Sequence, residues 1–107
     1  MRFEIELAPS AVAALKALPA RTRTTVREAL ERHLRYEPTK TSKSRIKRLR
    51  GLLRPQYRLR VDEIRVFYDV TASSVEILAI IPKAEAQAWL DDAGTPDSER
   101  GSGESER

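Results

Sequence analysis

Two adjoining runs set the architecture of this chain: QYRLRV at residues 56–61 and IRVFYDV at residues 64–70. In each, apolar residues recur at every second position, and a period of two builds a strand with one buried face rather than a helix. Tyr57, Leu59 and Val61 therefore point to one side of a sheet, and Gln56, Arg58 and Arg60 to the other. Only Asp62 and Glu63 separate the two runs. A two-residue turn there sets Val61 opposite Ile64, Arg60 opposite Arg65 and Arg58 opposite Phe67. Asp-Glu lacks the Gly or Asn that such turns ordinarily require, so a longer turn with a shifted pairing stays open. A third run, SVEILAII at residues 74–81, is apolar at nearly every position. That marks an interior strand covered on both faces. Links this short imply an antiparallel meander.

The preceding residues supply the cover. RFEIEL near the start alternates Phe3, Ile5 and Leu7 with charged residues and reads as a strand. APSAVAALKALP then places Val12, Leu15 and Leu18 at helical spacing between Pro9 and Pro19. From Arg21 to Arg35 the positions Val26, Ala29, Leu30, His33 and Leu34 form a second amphipathic stripe, ended by Pro38. The two helices make an αα-hairpin. TKTSKSRIKRLRG is polar and basic, a loop passing into a short edge strand near Ile46 to Leu49, and PKAEAQAWLDD is a short C-terminal helix. The expected fold class is α+β, with an N-terminal strand, an αα-hairpin packed on an antiparallel sheet of about four strands, and the terminal helix. Residues 1–92 form one domain, and residues 93–107, which lack any large apolar side chain, form a disordered acidic tail.

Composition excludes several classes of chemistry. The chain of 107 residues has no cysteine and a single histidine, His33, so it carries neither a thiolate metal site nor a multi-histidine one. No metal or cofactor is expected. No apolar run reaches the roughly 20 residues of a membrane helix, and the charged, alternating N-terminus is not a signal peptide. A soluble cytoplasmic protein is the expectation.

The charge distribution is informative where the net value of +4 is not. Between Lys40 and Arg65 there are ten Lys and Arg residues against two acids, Asp62 and Glu63, whereas Asp91 to Arg107 holds six acids and two basic residues. A concentrated basic segment is the footprint of a polyanionic partner, nucleic acid or an acidic protein. Like charges directly opposite each other in a hairpin destabilise it unless something neutralises them. Guanidinium groups suit phosphate, because their donors form a planar fork and stay charged. A phosphodiester passing through a more anionic transition state would be stabilised by such a patch. Solvated arginines guarding a sheet edge are the structural alternative.

The run RLRGLLRPQYRLRVDEIRVFYDV, with IIPKAEAQAWL after the apolar strand, resembles the RelE/ParE superfamily of bacterial type II toxins, and FEIELAPSAVAALKALPARTRTTVREALERHL is similar to that superfamily's opening strand and helical hairpin. The likeness covers about residues 2–90, with LRG, YRLRV and RVFY as its core. It implies a toxin paired with a cognate antitoxin encoded beside it, without a cofactor. It implies a ribosome-dependent endonuclease that cuts messenger RNA, with a toxin directed at DNA gyrase or an inactive antitoxin-binding homologue as the alternatives. For the endonuclease it implies a catalytic set at Arg58, Arg60, Arg65, Lys83 and Trp89, with Lys43, Arg45, Lys47, Arg48, Arg50 and Arg54 as further RNA- and phosphate-binding residues. Two positions depart from the usual pattern. Trp89 stands where a Tyr is common and has no hydroxyl for proton transfer, and it also suits sealing the core beside Leu90. Lys83 replaces an Arg and follows Pro82.

Overall fold

A proline sets the start of each helix in this computed structural model, which describes residues 1–97. After strand β1 (Glu4–Leu7), Pro9 opens helix α1 (Pro9–Ala17), where a missing N–H costs nothing. Leu18 turns to extended backbone ahead of Pro19, and helix α2 (Ala20–Leu34) begins at once. Arg23 reaches back from α2 to the last carbonyls of α1, donating to Leu15 O, Lys16 O and Leu18 O at 3.4, 3.3 and 3.0 Å. These acceptors would otherwise be left over at a helix end.

A long loop leads to β2 (Ile46–Arg48), β3 (Leu52–Arg54), β4 (Tyr57–Val61), β5 (Ile64–Val70) and β6 (Ser74–Pro82), then helix α3 (Lys83–Ala93) and a two-residue strand β7 (Thr95–Pro96). The main sheet has five strands in the order β1-β6-β5-β4-β2. Its class, α+β, is the expected one. The edge strand expected near Ile46 to Leu49 is β2, and the N-terminal strand β1 joins the antiparallel strands as a fifth, pairing with β6 in parallel. An interior β6 needs a neighbour on each side, and once β5 takes one edge the other remains for β1. The pair β3·β7 was not anticipated. Gly51 enters it at φ 77°, a conformation that favours glycine. Residues 93–97, expected in the tail, complete α3 with Ala93 and form β7; the rest of the expected disordered segment lies outside the described residues.

The β4–β5 turn has the short form. Val61 pairs with Ile64 and Arg60 with Arg65, and Asp62 takes φ 53°. Aspartate tolerates that left-handed conformation better than most residues, which is how the turn forms without Gly. One face of the sheet packs on α1 and α2 through Leu59, Val66, Tyr68, Val75 and Ile77, all fully buried, against Ala11, Val26 and Leu34. Tyr68 donates its hydroxyl to Pro38 O at 2.6 Å, and burial pushes its phenol pKa up. Truncating Leu59 to Ala here would cost about 2–5 kcal/mol. Helix α3 lies on the other face, where Trp89 stacks on Phe67 with ring centroids 5.0 Å apart. Among the described residues no helix is long and apolar enough to cross a membrane.

Candidate functional site

The second face of the sheet carries its charges in rows. Strand alternation puts Arg58, Arg60, Arg65, Phe67 and Asp69 there, opposite the buried set. Arg60 pairs with Arg65 across β4 and β5, and the Arg60 N–H donates to Arg45 O at 2.8 Å, so Arg45, Arg60 and Arg65 hold one register line across three chain segments. The next line runs Lys47, Arg58, Phe67, Ala79. Farther along, Asp69 pairs with Glu76 and Glu76 with Glu6. One sheet face thus bears a basic row and an acidic row, separated by four residues of β5, or about 13 Å.

Arg58 is the most constrained of the cations. Its Nη2 donates to Ser44 O at 2.9 Å, whereas its Nε is buried without a hydrogen-bond partner. Burial, then the charges of Arg65 and Arg60, pushes its pKa below the usual arginine value. The three guanidinium groups therefore feel one another. Arg65 is steadied by its Nη1, which donates to Asp62 O at 2.8 Å and Ile64 O at 3.1 Å. The ion pairs among the described residues are Arg2–Glu4, Arg35–Glu31, Lys40–Glu37 and Arg54–Asp69, and none includes Arg58, Arg60 or Arg65. A buried guanidinium N–H without an acceptor is costly, and it is the exposed Arg60 beside it that stands open to a phosphate oxygen.

The other expected site residues divide. Trp89 comes to the patch through Phe67, which is itself opposite Arg58, so the indole both seals that ring and leaves one flank half-exposed. Lys83 is the first residue of α3, and its N–H donates to Glu63 O at 2.7 Å; it sits at the turn end of the face, one residue beyond the Ile64–Pro82 pair. Lys47 lies beside Arg58, and Lys43 and Arg45 are exposed just ahead of β2. Arg50 is exposed beside Gly51. Two arginines are drawn elsewhere. Arg48 sits over the Tyr57 ring, 5.2 Å from its centroid, and donates to Gln56 O, while Arg54 pairs with Asp69 at 3.4 Å in the acidic row. The Asp69 carboxylate also accepts the Gln56 N–H at 2.7 Å. Sequence reasoning named Arg45 as a phosphate-binding residue but did not anticipate its register with Arg60, since nothing in its neighbours reveals which strand pairs with β4. It also missed the acidic row, which only the parallel placement of β1 completes.

No group of histidines and acids suited to a metal ion occurs among the described residues. What the patch offers is fixed positive charge, donors in a planar array and an aromatic platform. That combination suits binding a phosphodiester and stabilising added negative charge on it.

The sequence profile of the ParE toxins of type II toxin–antitoxin systems, parDE, matches residues 5–87. No curated protein matches the chain. Among solved structures the fold is similar to the RelBE2 toxin–antitoxin complex from Mycobacterium tuberculosis, with a TM-score of 0.65 and 24% identity over 77% of this chain and 99% of that one. It is also similar to the RelB–RelE antitoxin–toxin complex from Methanococcus jannaschii, with a TM-score of 0.58 and 17% identity, covering 79% and 98% of the two chains. The YoeB dimer from Staphylococcus aureus matches with a TM-score of 0.57 and 18% identity over 76% and 97%.

Proposed function

The chain belongs to the ParE toxin family of type II toxin–antitoxin systems, and from that premise we propose that it arrests growth by cutting messenger RNA on the ribosome in the cytoplasm, restrained by a cognate antitoxin encoded beside it. The observation that supports the reading is the Arg58, Arg60, Arg65 cluster, whose guanidinium groups form no ion pair among the described residues. In the proposed reaction a ribose 2′-oxygen attacks the adjacent phosphorus while the bond to the 5′-oxygen breaks. The products are a 2′,3′-cyclic phosphate and a 5′-hydroxyl. The guanidinium groups hold the phosphate and bind it more strongly as its charge grows, which is the condition for catalysis. The Trp89 and Phe67 pair offers a flank on which a base stacks.

Proton transfer separates this site from free-standing ribonucleases. Arginine stays protonated and indole has no acid–base group, so the 2′ proton passes to Glu63 or to a group of the ribosome, and the departing 5′-oxygen takes its proton from water or the ribosome. Cleavage should therefore require the ribosome. Primer extension after induced expression tests it: new transcript ends within translated regions are expected, and growth arrest with unchanged termini overturns it.

A second reading, that the same face binds and poisons DNA gyrase without cutting RNA, is favoured by the matching profile being that of the ParE toxins. Supercoiling by purified gyrase in the presence of the toxin decides between them, since inhibition there is expected only of this second activity.

A further inference from the structure

Two small cavities meet at the edge of the sheet beside α2. One, about 180 Å³, has Arg32, His33, Lys40 and Arg45 in its lining. The other, about 230 Å³, is lined by His33, Ser44, Arg45 and Arg60 among others. His33 and Arg45 line both, so the two adjoin along this edge and together are termed the groove, and Arg60, which lines the second, is a member of the basic row. The groove therefore lies between the arginine face and the end of α2.

Its charge is net basic. Arg32 stands on α2, Lys40 on the loop after it, Arg45 ahead of β2 and Arg60 on β4, against two acids, Glu37 and Asp62. Glu37 and Lys40 pair with each other at 3.8 Å, which leaves Arg32, Arg45 and Arg60 against Asp62 in the turn. Burial lowers the pKa of His33, and the charges of Arg45 and Arg32 lower it further. Nothing aromatic lines the groove other than the imidazole, which fits a sugar–phosphate backbone better than stacked bases.

We propose that this groove holds backbone phosphates of the same nucleic-acid strand beyond the one seated on Arg58, Arg60 and Arg65, without regard to sequence, and that His33 takes up a proton when they bind. The inference rests on the RNA-directed reading above. A phosphate in the groove supplies the anion that His33 lacks, so binding of a long strand strengthens as pH falls through the histidine range.

The experiment uses the full chain and two fluorescein-labelled 2′-deoxy oligonucleotides, a trinucleotide and a dodecanucleotide, which have no 2′-hydroxyl and so cannot be cut by the proposed chemistry. Fluorescence anisotropy is followed over about 50–200 mM salt. The double substitution Arg32→Gln with Lys40→Gln is expected to weaken the dodecanucleotide by about tenfold and to flatten its salt slope by about one to two. Trinucleotide binding should stay unchanged. His33→Asn should remove the tightening of the dodecanucleotide between about pH 7.5 and 5.5, with thermal melting confirming that each variant is folded. Equal dodecanucleotide affinity and slope for wild type and double variant overturn the groove. If Arg58→Gln with Arg65→Gln then loses both oligonucleotides, the RNA-directed reading survives alone; a wild type that binds neither overturns the groove, and unchanged transcript ends in primer extension overturn the RNA-directed reading. Variants that weaken only the cognate antitoxin overturn the proposal in favour of a protein occupant.

Discussion

The basic and acidic rows lie on one face of one sheet, and they are treated differently. Asp69 in the acidic row has Arg54 and the Gln56 N–H beside it, and it is buried. Arg60 and Arg65 in the basic row, and Arg58 on the line beside it, have backbone carbonyls at most among the described residues, and the buried Arg58 Nε has no acceptor. Both rows oppose like charges across strands, which works against folding. In the acidic row the chain supplies the counter-charge itself. Among the described residues nothing does so for the basic row, and the external anion proposed above is assigned to that end for this reason.

The largest expected effect breaks the comparison at the basic end. Arg58→Gln, or reversal of Arg65 to Glu, should reduce toxicity and transcript cleavage by about two orders of magnitude or more, the scale seen when a preorganised donor to a developing anion is lost. The melting temperature should hold. A variant that keeps full cleavage would leave the basic row as surface charge and nothing more.

At the acidic end the outcome should reverse. Asp69→Ala removes the acceptor for the Gln56 N–H and the partner of Arg54, at a cost of about 1–3 kcal/mol in denaturant unfolding. Toxicity per folded molecule should be unchanged. Smaller still are the effects of relieving like-charge opposition: Glu76→Gln and Arg60→Gln should each stabilise the fold by a few tenths of a kcal/mol. Only the second should weaken toxicity, which separates the rows by function at equal energetic scale.

The pH dependence of stability sharpens the contrast with opposite signs. Burial raises the Asp69 carboxyl above its usual 3.8, against the pull of the Gln56 N–H and Arg54. The folded state then binds more protons than the unfolded one, so this contribution is full below the unfolded value and is lost as pH rises through the folded one. His33 behaves in the other direction. Its folded pKa lies below 6.5, so its contribution is full above the unfolded value and lost as pH falls through the folded one. Urea unfolding of Asp69→Asn and His33→Asn from about pH 3.5 to 7.5 should remove slopes of opposite sign; slopes of the same sign would refute this assignment.

Local pattern carries much of this architecture. A period of two is sufficient to place Arg58 and Arg60 on one face and Leu59 on the other, because successive side chains cannot share a side of a strand. Asp62 is short enough to take the turn conformation that brings Arg60 against Arg65. The apolar run of β6 calls for an interior strand, and the αα-hairpin follows from its apolar stripes and its prolines. Charge density likewise announces an anionic partner, but not which cations would meet it. Arg54 and Arg48 count toward the basic segment in the sequence and lie elsewhere in space.

Those differences come from partners distant along the chain. Arg45 joins the basic row because its carbonyl accepts from Arg60, and Glu6 reaches the acidic row because β1 lies parallel beside β6. His33 meets Arg45 where α2 passes the β2 edge, forming the groove next to Arg60. Each strand's alternation is a property of neighbouring residues, governed by backbone geometry alone. Which strands lie side by side depends on how the whole chain buries its apolar surface, and so the pairing that turned scattered charges into rows was decided only in three dimensions.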